Sequence, residues 1–181
     1  MSNIHISSTR LSLRLIGLTD LEDIHDLHLL PETDEFNTLG IPSDLAETES
    51  IISTWIAKHS ADPITNYVFA IEESTSRNFI GLFGLNLGSP KYQIAEVWYK
   101  IHSLYWGKGY ATEALKAVLE YGFEQLSLHR IEAGCAVDII GSIKVMEKAG
   151  MTREGRKRKV LPLKSGWSDN FHYAILEEDF R

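Results

Sequence analysis

The sequence predicts one mixed α/β domain over residues 1–181. Three observations carry that expectation. The chain has 181 residues, 44% of them apolar and 24% charged, which suits one domain with a real core. Runs with an apolar period of two alternate with runs of period 3.6, in the order strand, two helices, three strands, helix, strand, helix, two strands. Two glycines, Gly107 and Gly109, stand between the last of the three middle strands and the longest helix.

Taken in order, Arg10 to Leu15 alternates with period two and reads as a strand. Asp20 is placed to cap a helix over 21–30, with Leu21, Ile24 and Leu27 on one face. Residues 31–42, bounded by Pro31 and Pro42, read as a loop carrying Phe36. Ser43 or Asp44 starts a second helix with Ile51, Ile52, Trp55 and Ile56 on one face. Strand-like runs follow at 67–71, 79–87 and 94–101. Ala111, Leu115, Val118, Leu119, Gly122 and Phe123 have helical spacing after the glycines. Arg130–Val137 reads as a strand with Ile131, Ala133, Cys135 and Val137 on one face, and 143–149 as a helix closed by Gly150. Two last strands, near 152–161 and 167–177, are joined by Pro162-Leu163-Lys164-Ser165-Gly166.

The glycine pair is the most informative stretch. A helix that starts just after bare backbone presents unpaired N–H groups and the positive end of its dipole, a setting for a phosphate or pyrophosphate. Two common nucleotide motifs do not fit. A P-loop needs Gly, four residues, then Gly-Lys-Ser/Thr, and Gly107-Lys108-Gly109 has neither that spacing nor the hydroxyl. A dinucleotide fingerprint needs a third glycine where Thr112 stands.

Trp106-Gly107-Lys108-Gly109-Tyr110-Ala111 is similar to the pyrophosphate loop of the GNAT superfamily of acyl-CoA N-acyltransferases, usually written Gln/Arg-x-x-Gly-x-Gly/Ala. Arg10–Leu15 with Thr19-Asp20-Leu21, the strand Ala95-Glu96-Val97-Trp98-Tyr99, and Ser142 with Val145–Met151 extend the resemblance over essentially the whole chain. Within the superfamily the chain resembles the ribosomal-protein N-terminal-alanine acetyltransferases. The resemblance implies a single mixed, mostly antiparallel sheet whose central fourth and fifth strands splay apart, with helices on its flanks. Trp106 replaces the usual Gln or Arg, Ile139 stands where the family has Asn, and Met146 stands where many relatives carry a Tyr that protonates the departing thiolate.

The same resemblance implies acetyl-CoA as co-substrate; no His, Asp or Glu cluster has ligand spacing, so no metal is expected. Trp106, Gly107, Lys108, Gly109, Tyr110, Ala111 and Thr112 would hold the pyrophosphate through backbone N–H groups. Tyr99, Lys100 and Ile101 would pair with the pantetheine arm by main-chain hydrogen bonds, and one N–H there would stabilise the oxyanion. The acceptor amine must be neutral. An α-amine has a pKa of about 8 and a lysine amine about 10.4, so a weak base acting through water suffices for an N-terminus. Glu96 is the candidate base. Ser142 is the candidate acid for the thiolate, or a helix cap. His102, Asp169 and His172 are weaker candidates for proton transfer. Cys135 alternates with apolar residues and reads as core, so transfer is expected to be direct, without an acetyl-enzyme.

The net charge is −7, and residues 1–60, with ten acids and three bases, account for all of it. An acidic surface there favours a cationic acceptor, such as a basic ribosomal-protein N-terminus; the alternatives are a polyamine or amino sugar as acceptor, or a module that binds acyl-CoA without chemistry. The basic run Arg153 to Lys159 lacks interleaved aromatics, which argues against nucleic-acid binding. One cysteine excludes a disulfide framework, no apolar stretch has membrane length, and no secretory pattern opens the chain. The expectation is a cytoplasmic monomer or homodimer.

Overall fold

The computed structural model describes residues 4–180. Its two middle strands, β3 (Asn66–Glu73) and β4 (Phe79–Leu87), are buried on both faces. That pattern needs cover on each side. Helices α1 (Leu21–Leu29) and α3 (Leu45–His59) cover one face; α4 (Tyr110–Glu124) and α5 (Ile140–Lys148) cover the other. Along β3, Tyr67, Phe69 and Ile71 enter the core under α4, while Val68 and Ala70 enter the core under α1 and α3. Alternation of side chains thus fills two cores from one strand.

The other strands are β1 (His5–Ser7), β2 (Leu11–Leu15), β5 (Ile94–Ile101), β6 (Arg130–Ala136), β7 (Thr152–Leu163) and β8 (Gly166–Leu176). They form one sheet in the order β1-β2-β3-β4-β5-β6-β8-β7. Every neighbouring pair is antiparallel except β5 and β6. That parallel pair needs a long crossover, and the glycine loop and α4 supply it. The pairing is short. It runs from Ile94↔Arg130 to Val97↔Ala133 and stops, although β5 continues to Ile101 and stays paired with β4 to its end. The strands expected to part as fourth and fifth are therefore β5 and β6, renumbered by β1, a three-residue strand too short to announce itself.

Several local expectations change. The loop over 31–42 contains a short helix α2 (Pro31–Asp34), started by Pro31 at its first position. Asp20 does not cap α1: its carboxylate accepts from the Gly17 N–H (2.8 Å) and takes both Arg14 nitrogens (2.6 and 2.9 Å). A buried carboxylate prefers a full charge partner to a helix end. Asp44 does cap α3, accepting from the Glu47 N–H at 2.8 Å. Helix α5 begins three residues early, so Ser142 lies inside its first turn and Ile139, which has no capping side chain, precedes it. The last two strands run nearly to their turn, where Gly166 takes φ +113°.

Candidate active site

The glycine loop follows a 3-10 turn at Ser103–Tyr105. Gly107 and Gly109 have φ of +74° and +82°, the left-handed region that a Cβ disfavours. Nothing lies within 4 Å of the place where a Gly107 Cβ would stand, and a Gly109 Cβ would meet only Arg10 Nη2 at 3.5 Å, so the loop needs these glycines for their dihedrals. Gly109 precedes α4 with no side chain to cap it. The N–H groups of Tyr110, Ala111 and Thr112 then have no partner within their helix, as at any helix start. Glu113, the acid of the first turn, is turned away from them to Ser8 Oγ (2.8 Å), the Arg10 N–H (2.7 Å) and Arg10 Nε (2.7 Å).

Arg10 also donates to the Lys108 carbonyl (3.0 Å) and lies 4.5 Å from the centre of the Tyr110 ring, whose hydroxyl donates to Glu73 (2.7 Å). Lys108 stacks its ammonium over Tyr105, and Trp106 Nε1 donates to the Ile101 carbonyl at 2.7 Å. The loop is thus braced before any anion arrives, with two cations beside it. Arg10 lies almost a hundred residues away in sequence, and no local pattern marks it.

Beyond Val97 the edge of β5 that faces β6 has no strand partner; the main-chain groups of Tyr99 and Ile101 face it, with the Ile101 carbonyl held by Trp106, whereas those of Lys100 turn to β4. A diphosphate on the helix start and an extended arm along this edge fit both features: open backbone donors at one end, an unfilled strand position at the other. Side chains of β5 alternate about the gap. Tyr99 points to the α4/α5 face, stacks on Phe83, and donates its hydroxyl to the Ser142 carbonyl at 3.5 Å. Burial raises the Tyr99 pKa, which keeps that hydroxyl protonated. Cys135 is buried nearby, and burial raises its thiol to about 11, so it is a poor nucleophile at neutral pH. Met146 is buried and supplies no proton.

Glu96, Trp98 and Lys100 point to the α1/α3 face. Glu96 is exposed, with Asn86 beside it on β4 and Glu132 on β6. Asn86 is hydrogen-bonded to Asn66. Glu132 is held by Arg130 (2.7 Å) and lies 3.6 Å from His172. This polar row across the sheet was invisible as a motif, because its members come from five strands. Glu96 and Ser142 lie on opposite faces and do not meet; the opening between β5 and β6 connects their sides.

Further along this face Trp98 packs on Trp55, and Trp55 on His28. Gly84, opposite Trp98, has no Cβ because the indole occupies that space. The Lys100 side chain, unforeseen as a contributor, is buried and lies 3.1 Å from His28 Nδ1. Burial lowers the Lys100 pKa to about 8, with Asp34 opposing. Burial also lowers His28 to about 4, helped by Lys100.

The weaker candidates have structural partners. His102 Nδ1 accepts from the Leu104 N–H (3.2 Å) and steadies the 3-10 turn. Asp169 accepts from the Lys159 N–H (2.9 Å) and Arg156 Nε (2.7 Å), which lower its pKa. The basic run lies on β7, an exposed edge strand, with Arg156 paired to Asp169 and Arg153 over Phe171. Charge along such an edge discourages pairing with other chains. Among the described residues no helix is long and apolar enough to cross a membrane, and no His, Cys, Asp or Glu cluster has the form of a metal site.

Comparison with known proteins agrees with this architecture. The chain is 32% identical over 177 residues, 98% of its length and 99% of the relative's, to the uncharacterized N-acetyltransferase YnaD of Bacillus subtilis (strain 168). It is 33% identical over 86 residues, 48% of its length and 47% of the relative's, to the putative ribosomal N-acetyltransferase YdaF of the same organism. The crystal structure of spermidine N-acetyltransferase from Vibrio cholerae in complex with CoA and spermine superposes with a TM-score of 0.84 at 25% identity, covering 96% of this chain and 99% of that one. Residues 10–152 match the model of the acetyltransferase (GNAT) domain, and the chain belongs to that family of acetyl-CoA-dependent N-acetyltransferases.

Proposed function

We propose that the acceptor is the α-amine of a protein or peptide, in the manner of the ribosomal-protein enzymes, and that transfer is direct within a ternary complex. The observation that carries this reading is the parting of β5 from β6 beside the braced glycine loop, with an exposed carboxylate on one side of the gap and hydroxyls on the other. Acetyl-CoA supplies an acetyl group already activated as a thioester. The chain supplies the rest. Backbone N–H groups from Gly107 to Thr112 hold the diphosphate, the Trp106 N–H being given to the Ser103 carbonyl, and Lys108 adds charge. The free edge at Tyr99 and Ile101 aligns the arm and turns an N–H toward the acyl oxygen, where a good donor contributes about 3–4 kcal/mol, while Lys100 serves the other face by its side chain. Glu96 takes the acceptor's proton through water. Ser142 returns a proton on the far side, since Met146 has none to give.

An α-amine suits this machinery. Glu96 lies open to solvent. An amine with a pKa of about 8 is neutral often enough at pH 7 to need no more. Exposed Glu32 on α2 and Glu35 just after it, with Asp44 and Glu47 at the start of α3, give the acceptor side an acidic rim that draws a basic protein terminus. A polyamine acceptor is the second reading, supported by the likeness to the Vibrio cholerae spermidine enzyme.

The test is CoA release from acetyl-CoA with peptides beginning Ala, Ser or Met, run beside spermidine and an amino sugar. Turnover of an α-amine peptide at the highest kcat/KM is the expected result. Turnover of spermidine alone moves the assignment to the second reading, and no release with any amine, while CoA still binds, overturns both.

A further inference from the structure

One ion pair on the α1/α3 face stands apart from the rest. Lys164, in the turn between β7 and β8, places Nζ 2.5 Å from Asp34 Oδ2 on α2. The lysine side chain is 68% exposed, whereas the Asp34 side chain is 1% exposed. The other Asp34 oxygen, Oδ1, is buried with no hydrogen-bond partner, and so is His28 Nε2. Asp34 also acts on Lys100 and His28, so these groups share one pocket of charge.

The location matters. The β7–β8 hairpin extends beyond the end of β6, and Asp34 lies by the end of β5. The pair therefore bridges the opening where β5 and β6 part, on the side that carries Glu96. A buried carboxylate needs a cation, and leaving it alone costs several kcal/mol. Yet the cation here is a long, flexible, mostly solvated side chain that loses rotamer freedom by holding still. Any alkylammonium that reaches Asp34 makes the same bond and frees the lysine, and Oδ1 remains to accept a second N–H.

We propose that Asp34 is the seat of a second alkylammonium on the acceptor, and that Lys164 occupies the seat as a tethered stand-in until the acceptor displaces it. This rests on the acceptor binding the Glu96 side, as argued above. On this proposal the reacting amine meets the thioester beside the free stretch of β5, and the seat lies toward the Lys100 end of that strand, where Asp34 acts on the lysine. A separation of two to three strand residues corresponds to about 7–10 Å. An acceptor with two ammonium groups at that spacing spans the distance: the α-amine and side-chain amine of an N-terminal Ala-Lys, or a polyamine. Both carry the same chemistry, and the test separates them.

The experiment measures acetyl transfer and, separately, calorimetric binding to the CoA-loaded protein. The probes are Ala-Lys against Ala-norleucine, and 1,7-diaminoheptane against heptylamine. The wild-type protein is expected to favour the dication of each pair. Asp34→Asn should shrink that preference about tenfold or more, the scale of a lost charged hydrogen bond. Lys164→Met leaves Asp34 without its cation, so its fold is checked by a melt with and without the diamine, and it should tighten dication binding several-fold by removing the tethered competitor. Preference within the peptide pair assigns the seat to protein termini, and within the diamine pair to polyamines. Equal treatment of both members of each pair, or a preference that neither variant alters, overturns the proposal and leaves acetyl transfer standing. Dication binding that depends on Asp34 without CoA release upholds the seat and removes the transfer reading instead.

Discussion

The two faces of the sheet handle charge in different ways. On the α4/α5 face the groups we propose for the cofactor are main-chain N–H donors on a loop held by two positive-φ glycines, and the side chains around it, Arg10, Glu113 and Tyr110, contact one another. On the α1/α3 face the polar groups are side chains from α1, α2, β5 and the β7–β8 turn, two of them with buried atoms that lack partners. The first face is complete in itself and built to hold one kind of ligand by its backbone. The second is unfinished in the way a side-chain pocket for a varied acceptor would be. A site made of backbone is fixed by conformation; a site made of side chains can change with a single substitution while the fold stays.

The largest effect should come from filling the backbone site. Gly109→Trp puts a bulky side chain at φ +82° directly before α4, and CoA binding followed by calorimetry should be abolished. Gly107→Ala isolates the dihedral contribution, because open space surrounds its Cβ. It should lower stability by about 1–2 kcal/mol in a melt. If Gly109→Trp still binds CoA at wild-type strength, the α4/α5 face is not the anchor and the contrast between the faces fails.

Next in size is Glu96→Gln. It should cut kcat about a hundredfold, within the range for a general base, and leave acetyl-CoA binding close to that of the wild type. The acid limb of the pH–rate profile should disappear with it. An unchanged profile would remove Glu96 from proton transfer and leave the acceptor face with a binding role alone.

A third substitution asks how firmly the acceptor face is packed. Gly84→Val drives a branched side chain into the Trp98 indole, at the base of the Trp98–Trp55–His28 wall. Overpacking of this kind costs about 1–3 kcal/mol, readable as a shift of the denaturant midpoint. A neutral result would mean that Trp98 has room to turn and that the wall is not a fixed boundary.

The same contrast explains what could be read in advance. The helices and most strands announced themselves by period, and β4 and β5 coincide with the expected 79–87 and 94–101 because they alternate cleanly between helix-covered faces. The glycine loop was legible because a backbone site needs residues without Cβ at set spacing, within one short stretch. The acceptor face was not. His28, Asp34, Lys100 and Lys164 are scattered over more than 130 residues, and only the sheet order brings them together. Asp20 and Ser142 show the limit of local rules from the other side. Both have the right residue type for a cap, but Asp20 is taken by Arg14 and Ser142 lies a turn too deep.

The smallest expected effect concerns protons on the acceptor face. Burial, helped by the Lys100 ammonium 3.1 Å from Nδ1, holds the His28 imidazole neutral and lowers its pKa to about 4. The unfolded chain takes up that proton near pH 6.5. Between those values the unfolded state binds more protons, so stability is present above about 6.5 and is lost as the pH falls toward 4. The loss from this one group is on the order of 2 kcal/mol, or roughly 4–8 °C in melting temperature for a chain of this size. His59 works in the same direction, since its Nε2 accepts from the Val68 N–H at 2.8 Å and burial lowers its pKa. The informative measurement is therefore a difference: melts of the wild type and His28→Gln from pH 7 to pH 4.5. The two should converge as the pH falls, because the variant has no imidazole to protonate at this position. Parallel curves would mean that the His28 site opens to water below pH 6.5, and that the acceptor face is looser than the buried Lys100 contact implies.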